Sequence, residues 1–231
     1  PKTGRLIVPA HTGGLHSGQP VYPISFSILS VNPETRASET LATENEGSGL
    51  RDLDVADTTG EVFYSFADQA NVIRTRRVVG GNPSEAVTPA KALVDGLVLV
   101  SVDGGVLVTR SGFNPSEITI TSTSTGALVR TIPNFNPTAL SPDGSELLDG
   151  FSRQVVRIPD GAVRSLAVNG VSAGARIMDA RWIDGSLSVL LVAAGEAGAN
   201  VVTTWSEASG ATDTLGVVTG EFFAFVSCAR L

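Results

Sequence analysis

Residues 137–149 read PTALSPDGSELLD: a short apolar run, the turn Ser141-Pro142-Asp143-Gly144, and a second apolar run. Asp-Gly between two such runs is a hairpin signal. The Asp carboxylate accepts backbone N–H groups within the turn, and Gly takes the positive φ that closes it. The same device returns as Asp57-Thr58-Thr59-Gly60, Asp103-Gly104 and Asp184-Gly185. The four glycines stand 44, 40 and 41 residues apart. A period near forty, built on hairpins, is what the four-stranded blade of a β-propeller produces.

Working outward from these turns, the second unit divides into strands over 50–56, 61–66, 71–78 and 85–88. The third divides into 97–102, 106–110, 117–122 and 127–132, and the fourth into 137–140, 146–150, 154–158 and 162–167. The fifth runs 177–182, 187–192, 200–205 and 211–217. Three strands remain near the N-terminus, at 5–8, 24–31 and 37–41, and one near the C-terminus, at 220–228 (GEFFAFVSC). Together they complete a first blade, which closes the fold by pairing the C-terminal strand with the N-terminal blade and leaves no open sheet edge. The expectation is an all-β, single-domain, five-bladed β-propeller over 1–231, with blades at 219–231 plus 1–45, then 50–89, 92–133, 136–168 and 175–217.

Bulk composition narrows the function classes. Hydrophobic residues make up 42% and charged residues 17%, as in an ordinary folded domain. The net charge of −7, with lysine only at Lys2 and Lys91, disfavours nucleic acid, whose affinity rests on neutralising phosphates. The basic cluster Arg74, Arg76 and Arg77 reads as a solvated strand edge. No apolar run approaches the ~20 residues of a membrane span. The chain opens at Pro1 without Met, which is read as a removed leader or a trimmed segment, with an extracytoplasmic or secreted location expected. Cys228 is the only cysteine, so no internal disulfide and no cysteine-based zinc site is expected; among Phe222, Phe223, Phe225 and Val226 it reads as a buried small hydrophobe.

The residues also resemble known repeats. Thr138-Ala139-Leu140 followed by Ser141-Pro142-Asp143-Gly144 is similar to the TolB-type (WD-like) propeller repeat. Residues 53–64 (LDVADTTGEVFY), continuing to Asp68 and 71–74 (NVIR), are similar to the NHL and YWTD propeller repeats. Both resemblances imply the fold class and no single activity, since these families carry unrelated functions.

Propeller topology sorts the candidate site residues by face. Asp57, Asp103, Asp143 and Asp184 lie at first-to-second-strand turns, where their structural role as turn residues is complete. The opposite face carries the second-to-third-strand loops. One of these, at 9–20 (PAHTGGLHSGQP), is long, Gly-rich and holds both histidines of the chain, His11 and His16. A loop of this kind on a rigid scaffold is where binding residues tend to be placed. Zinc wants three or four ligands and no matching carboxylate is close in sequence, so no metal is expected. No cofactor motif is present, and no cofactor is expected.

Carboxylates also fall near the ends of the innermost strands: Asp52, Asp95, Asp179 and Glu221, one from each of four blades. Paired carboxylates of this kind serve glycoside hydrolysis. Against that, only 6% of the residues are aromatic, which leaves few sugar platforms, and Trp182 and Trp205 read as strand packing. The preferred reading is a non-catalytic binding propeller that recognises a protein or glycan on the His11/His16 face. Two alternatives stand beside it: a glycoside-hydrolase-like enzyme using Asp52, Asp95, Asp179 and Glu221, and a scaffold domain cut from a larger chain. The first two differ in one observable, namely whether these carboxylates are open to solvent or already occupied by backbone N–H groups.

Overall fold

The structure, a computed structural model, describes residues 4–12, 15–16, 19–20, 25–45, 49–68, 70–79, 85–87, 89, 91–93, 95–113, 116–169, 175–183, 186–194 and 199–219. It is all-β, with no helix among the described residues. Its antiparallel sheets are the five blades of a β-propeller, one of three strands and four of four strands. They fall into two compact units, within Pro1–Asn134 and within Phe135–Cys228.

The first unit holds three blades. β1 (Leu6–Thr12), β4 (Ser25–Val31) and β5 (Ser38–Glu44) form one sheet, and the short β2 (Leu15–His16) and β3 (Gln19–Pro20) pair with each other. β6 (Gly49–Ala56), β7 (Glu61–Ala67), β8 (Ile73–Val78) and β9 (Glu85–Val87) form the next blade. β10 (Leu99–Val100), β11 (Val106–Phe113), β12 (Ser116–Ser122) and β13 (Leu128–Pro133) form the third. In the second unit, β14 (Pro137–Leu140), β15 (Glu146–Asp149), β16 (Gln154–Arg157) and β17 (Val163–Ser165) precede β18 (Arg176–Ile183), β19 (Ser186–Ala194), β20 (Ala199–Ser206) and β21 (Thr212–Thr219). The expected pairing of residues 220–228 with the N-terminal blade lies outside the described residues.

β7 shows why the pattern VFYSFA makes a blade. Successive strand residues point to opposite faces, and here both faces are covered. Val62, Tyr64 and Phe66 pack with Phe26 and Ile28 of the preceding blade. Phe63 packs the other way, with Val98, Val100 and Leu107 of the following one. Each such buried aromatic contributes about 1.5–3 kcal/mol. In the second unit Leu148 and Val155 meet Leu187, Val189 and Leu191 of the next blade.

The Asp-Gly turns explain their own recurrence. In 141–146, Ser141 Oγ donates to Asp143 Oδ1 at 2.7 Å and accepts from the amides of Ser145 and Glu146, while Gly144 sits at φ 70°. The turn at 101–106 repeats this, with Ser101 Oγ to Asp103 Oδ1 at 2.6 Å and Gly104 at φ 75°. The Asp57 turn is built differently. Gly60 N donates to Ala56 O, one residue further back, and Thr59 Oγ1 accepts the amide of Glu61. That is the design of the outer hairpins, where Thr125-Gly126-Ala127, Asp160-Gly161-Ala162 and Ser209-Gly210-Ala211 each set an oxygen to accept the Ala amide. The turn at Asp184-Gly185 lies outside the described residues.

Candidate functional site

The innermost strands share an irregularity at the end away from the Asp-Gly turns. β6 carries an extra residue at Arg51, β14 at Thr138 and β18 at Met178. A bulge of this kind re-aims the residues that follow it. After the first bulge come Asp52 and, two residues on, Asp54.

Both carboxylates are occupied. Asp52 Oδ1 accepts the Leu53 amide at 2.9 Å and Oδ2 the Val98 amide at 2.9 Å. Asp54 repeats the arrangement with Val55 at 2.8 Å and Val100 at 2.7 Å. Two acids from one innermost strand therefore hold the innermost strand of the next blade, in place of a direct backbone ladder. Burial pushes both carboxyls up despite the amide donors, Asp54 to about 6. Asp95 is similarly held: Oδ1 accepts the Leu97 amide at 3.0 Å, and Oδ2 pairs with Arg110 Nη1 at 2.9 Å. Of the remaining acids named from the sequence, Asp179 lies on β18 opposite Leu190, directly after the bulge at Met178. Glu221 lies outside the described residues. The backbone of β6 thus brings Asp52 near Asp95, and both are committed to structural partners.

Asp149, which the sequence reading passed over, is a further occupied acid. It is 1% exposed and accepts the amides of Phe151, Ser152 and Asn136 at 2.8–3.1 Å. Its signal was present as Asp149-Gly150 at the end of a strand, an Asp-Gly pair outside the forty-residue period.

The histidine-bearing segment is more ordered in backbone pairing than a Gly-rich stretch suggests. β1 continues through Thr12, so that His11 faces Phe26 of β4 in register, and His16 of β2 pairs with Gln19 of β3. The extension satisfies backbone groups that a loop would leave to water. Phe26 packs edge-on against Tyr64 and Phe66, with ring centroids 6.0 and 5.9 Å apart. His11 therefore lies at the same blade end as the β7–β8 connection.

That end of the first unit carries an open depression of about 490 Å³, lined by Arg51, Asn71, Ile73, Leu93, Asp95 and Gly96. Gly96 is required there: a Cβ would overlap Arg51 Cβ and come within 2.9 Å of Ser65 Oγ. Ser65 Oγ donates to the Gly96 carbonyl, which fixes the floor. Asn71 stands at φ 60°, at the head of the strand. Its neighbour Asp68 accepts the amides of Val72 and Ala70 and pairs with Arg74, which together hold its carboxyl below the usual range.

The basic cluster is fully partnered. Arg74 pairs with Asp68, Arg76 with Glu44 and Arg77 with Glu85, and Arg76 also lies over the Phe66 ring at 5.7 Å. Neither tryptophan is a platform for a sugar. Trp205 is 5% exposed within the core of the second unit, and Trp182 packs against that core and donates to Glu146 Oε2 at 3.4 Å. Among the described residues no three His, Cys, Asp or Glu side chains come together as metal ligands.

No family model matches the sequence, and no curated protein sequence matches it. Solved structures do. TolB from Acinetobacter baumannii aligns over 82% of this chain and 48% of its own length, with TM-score 0.60 and 15% identity. An oligogalacturonate lyase in complex with manganese aligns over 91% of this chain and 62% of its own, with TM-score 0.55 and 11% identity. A prolyl endopeptidase aligns over 92% of this chain and 36% of its own, with TM-score 0.54 and 11% identity. This chain is a β-propeller. At such identities the likeness shows the fold alone, and the chain spans less than two thirds of each of these proteins. The neighbours include a lyase and a peptidase, so the propeller resemblance by itself selects no activity.

Proposed function

We propose that the chain is a non-catalytic binding domain that recognises a protein or glycan at the blade ends bearing the second-to-third-strand connections, with His11 and His16 contributing to the contact. One observation carries this reading. Asp52 and Asp95, two of the four acids a hydrolase would use, have both oxygens engaged by backbone amides or by Arg110. A general acid must hold a transferable proton within reach of substrate, and a nucleophile must present a free lone pair. Neither carboxylate offers this. The depression beside Arg51 supplies concave surface with mixed apolar and polar walls at the same blade end, as ligand sites do.

The test begins with wild-type protein on glycan and protein-partner arrays. With a ligand in hand, replacing His11 and His16 together by Ala is expected to weaken binding while the melting temperature stays nearly constant. Hydrolysis of any glycan on the array, lost on Asp95→Asn and kept in the double His variant, would overturn the proposal in favour of the enzyme.

A further inference from the structure

Phe151 is the most exposed large hydrophobic residue described, at 86%; the next, Leu215 and Val217, reach 63%. It stands in the turn between β15 and β16, the second-to-third-strand connection of its blade. Single exposed apolar residues are ordinary on protein surfaces. What sets this one apart is the wiring beneath it. Buried Asp149 accepts the Phe151 and Ser152 amides through Oδ1 and the Asn136 amide through Oδ2. Thr138 Oγ1 accepts the Gly150 amide at 3.0 Å, and a Cβ at Gly150 would come within 2.5 Å of that same oxygen. On the far side Arg153 takes φ 54°, donates Nη2 to the Ala175 carbonyl at 2.6 Å and accepts the Leu166 amide. A four-residue turn is thereby held from both ends while its aromatic ring is left in solvent.

We propose that Phe151 is a preorganised anchor that plugs into an apolar pocket of a folded protein partner. The ring's exposure favours a plug over a sugar platform, because a platform lies flat with one face packed on its own protein, and at 86% exposure neither face is covered. Its neighbours Asn136 and Ser152 are exposed and uncharged, so the partner's rim is polar and carries no charge requirement. One ring supplies on the order of 200 Å². A stable interface takes roughly 800 Å² per partner, so the ring is one hot spot within a wider contact and too small to hold two copies of this chain together. A rigid anchor binds with little ordering cost, which is the physical use of the wiring. The inference uses none of the residues of the histidine-bearing segment and stands independently of it.

The experiment places the photo-crosslinker benzoylphenylalanine at position 151 and, as a control, at exposed Val163, in the full chain in cells of the source organism. The expected result is a protein adduct at 151 that is absent at 163. Wild-type protein should compete it away, with Phe151→Ala weaker by roughly thirtyfold and Phe151→Leu in between. The Ala variant should melt as wild type does, since the ring buries almost nothing. Several results would each overturn the proposal: no adduct, equal adducts at both positions, undiminished competition by Phe151→Ala, or an adduct that proves to be a second copy of this chain. Binding of the wild type, but not of Phe151→Ala, to vesicles of equal phosphatidylcholine and phosphatidylglycerol would assign the ring to a membrane and refute the protein pocket.

Discussion

Replacing Asp54 by Asn separates two opposing effects on one carboxylate. Burial raises its pKa from 3.8 to about 6, against the amides of Val100 and Val55, which favour the charged form. The folded protein therefore holds the proton more tightly than the unfolded chain. Stability from this group is fully present below about pH 4 and is lost as pH rises through about 6. At about 1.4 kcal/mol per pKa unit the loss is on the order of 3 kcal/mol. Asn cannot ionise and has no such slope, but it keeps only one acceptor oxygen, so one of the two amides loses its partner at a cost of about 1–3 kcal/mol. Asp52, also raised by burial, slopes the same way. Asp68, Glu117 and Asp143, whose carboxyls are lowered by their donors, slope the opposite way at lower pH. All of these remain in both proteins and cancel in the comparison. Urea unfolding of wild type and variant at several values between about pH 4 and about pH 7 gives the difference curve. The wild type should lead at pH 4, and its lead should fall across the window and approach or cross zero. A lead that stays flat or grows with pH would refute the reasoning, since the two amide bonds would then outweigh desolvation.

Three further outcomes follow from particular contacts. Gly144→Val puts a β-branched residue at φ 70° and should cost roughly 1–3 kcal/mol in chemical denaturation, without altering ligand binding by the folded protein. Gly96→Ala drives a methyl into Arg51 Cβ and Ser65 Oγ, so it should destabilise by more than about 3 kcal/mol or prevent folding, whereas Gly210→Ala, with nothing within 4 Å, should cost only the strain of its positive φ. Deleting residues 220–231 should abolish the cooperative melting transition if the C-terminal strand completes the first blade; an unchanged transition in the truncated chain would remove that assignment.

Much of the fold was legible because its signals are local. An Asp-Gly turn works through atoms within five residues, so Ser141, Asp143 and Gly144 announce it wherever the chain goes. The alternation in VFYSFA similarly implies a strand covered on both faces. The outer hairpins were equally readable as a Thr, Ser or Asp, then Gly, then Ala, although that second repeat was not used. The turn at Asp57 was placed rightly and typed wrongly, because its extra threonine shifts the closing hydrogen bond back by one residue. The Gly-rich composition of residues 9–20 suggested a loop, yet β4 offers seven partners in register and the strand extends to meet them.

The sequence by itself determined an all-β chain of five repeating blades, since turn chemistry and strand periodicity depend on near neighbours. What each acid does was decided only by tertiary structure. Asp52 and Asp54 reach amides 46 residues away, at Val98 and Val100, and no spacing rule predicts a partner in the next blade. A carboxylate near a strand end looks the same in sequence whether water or a backbone N–H faces it. The same holds for Phe151: within 146–151 it reads as one more apolar strand residue, and only the hydrogen bonds converging on Asp149 turn the chain early and leave the ring in solvent.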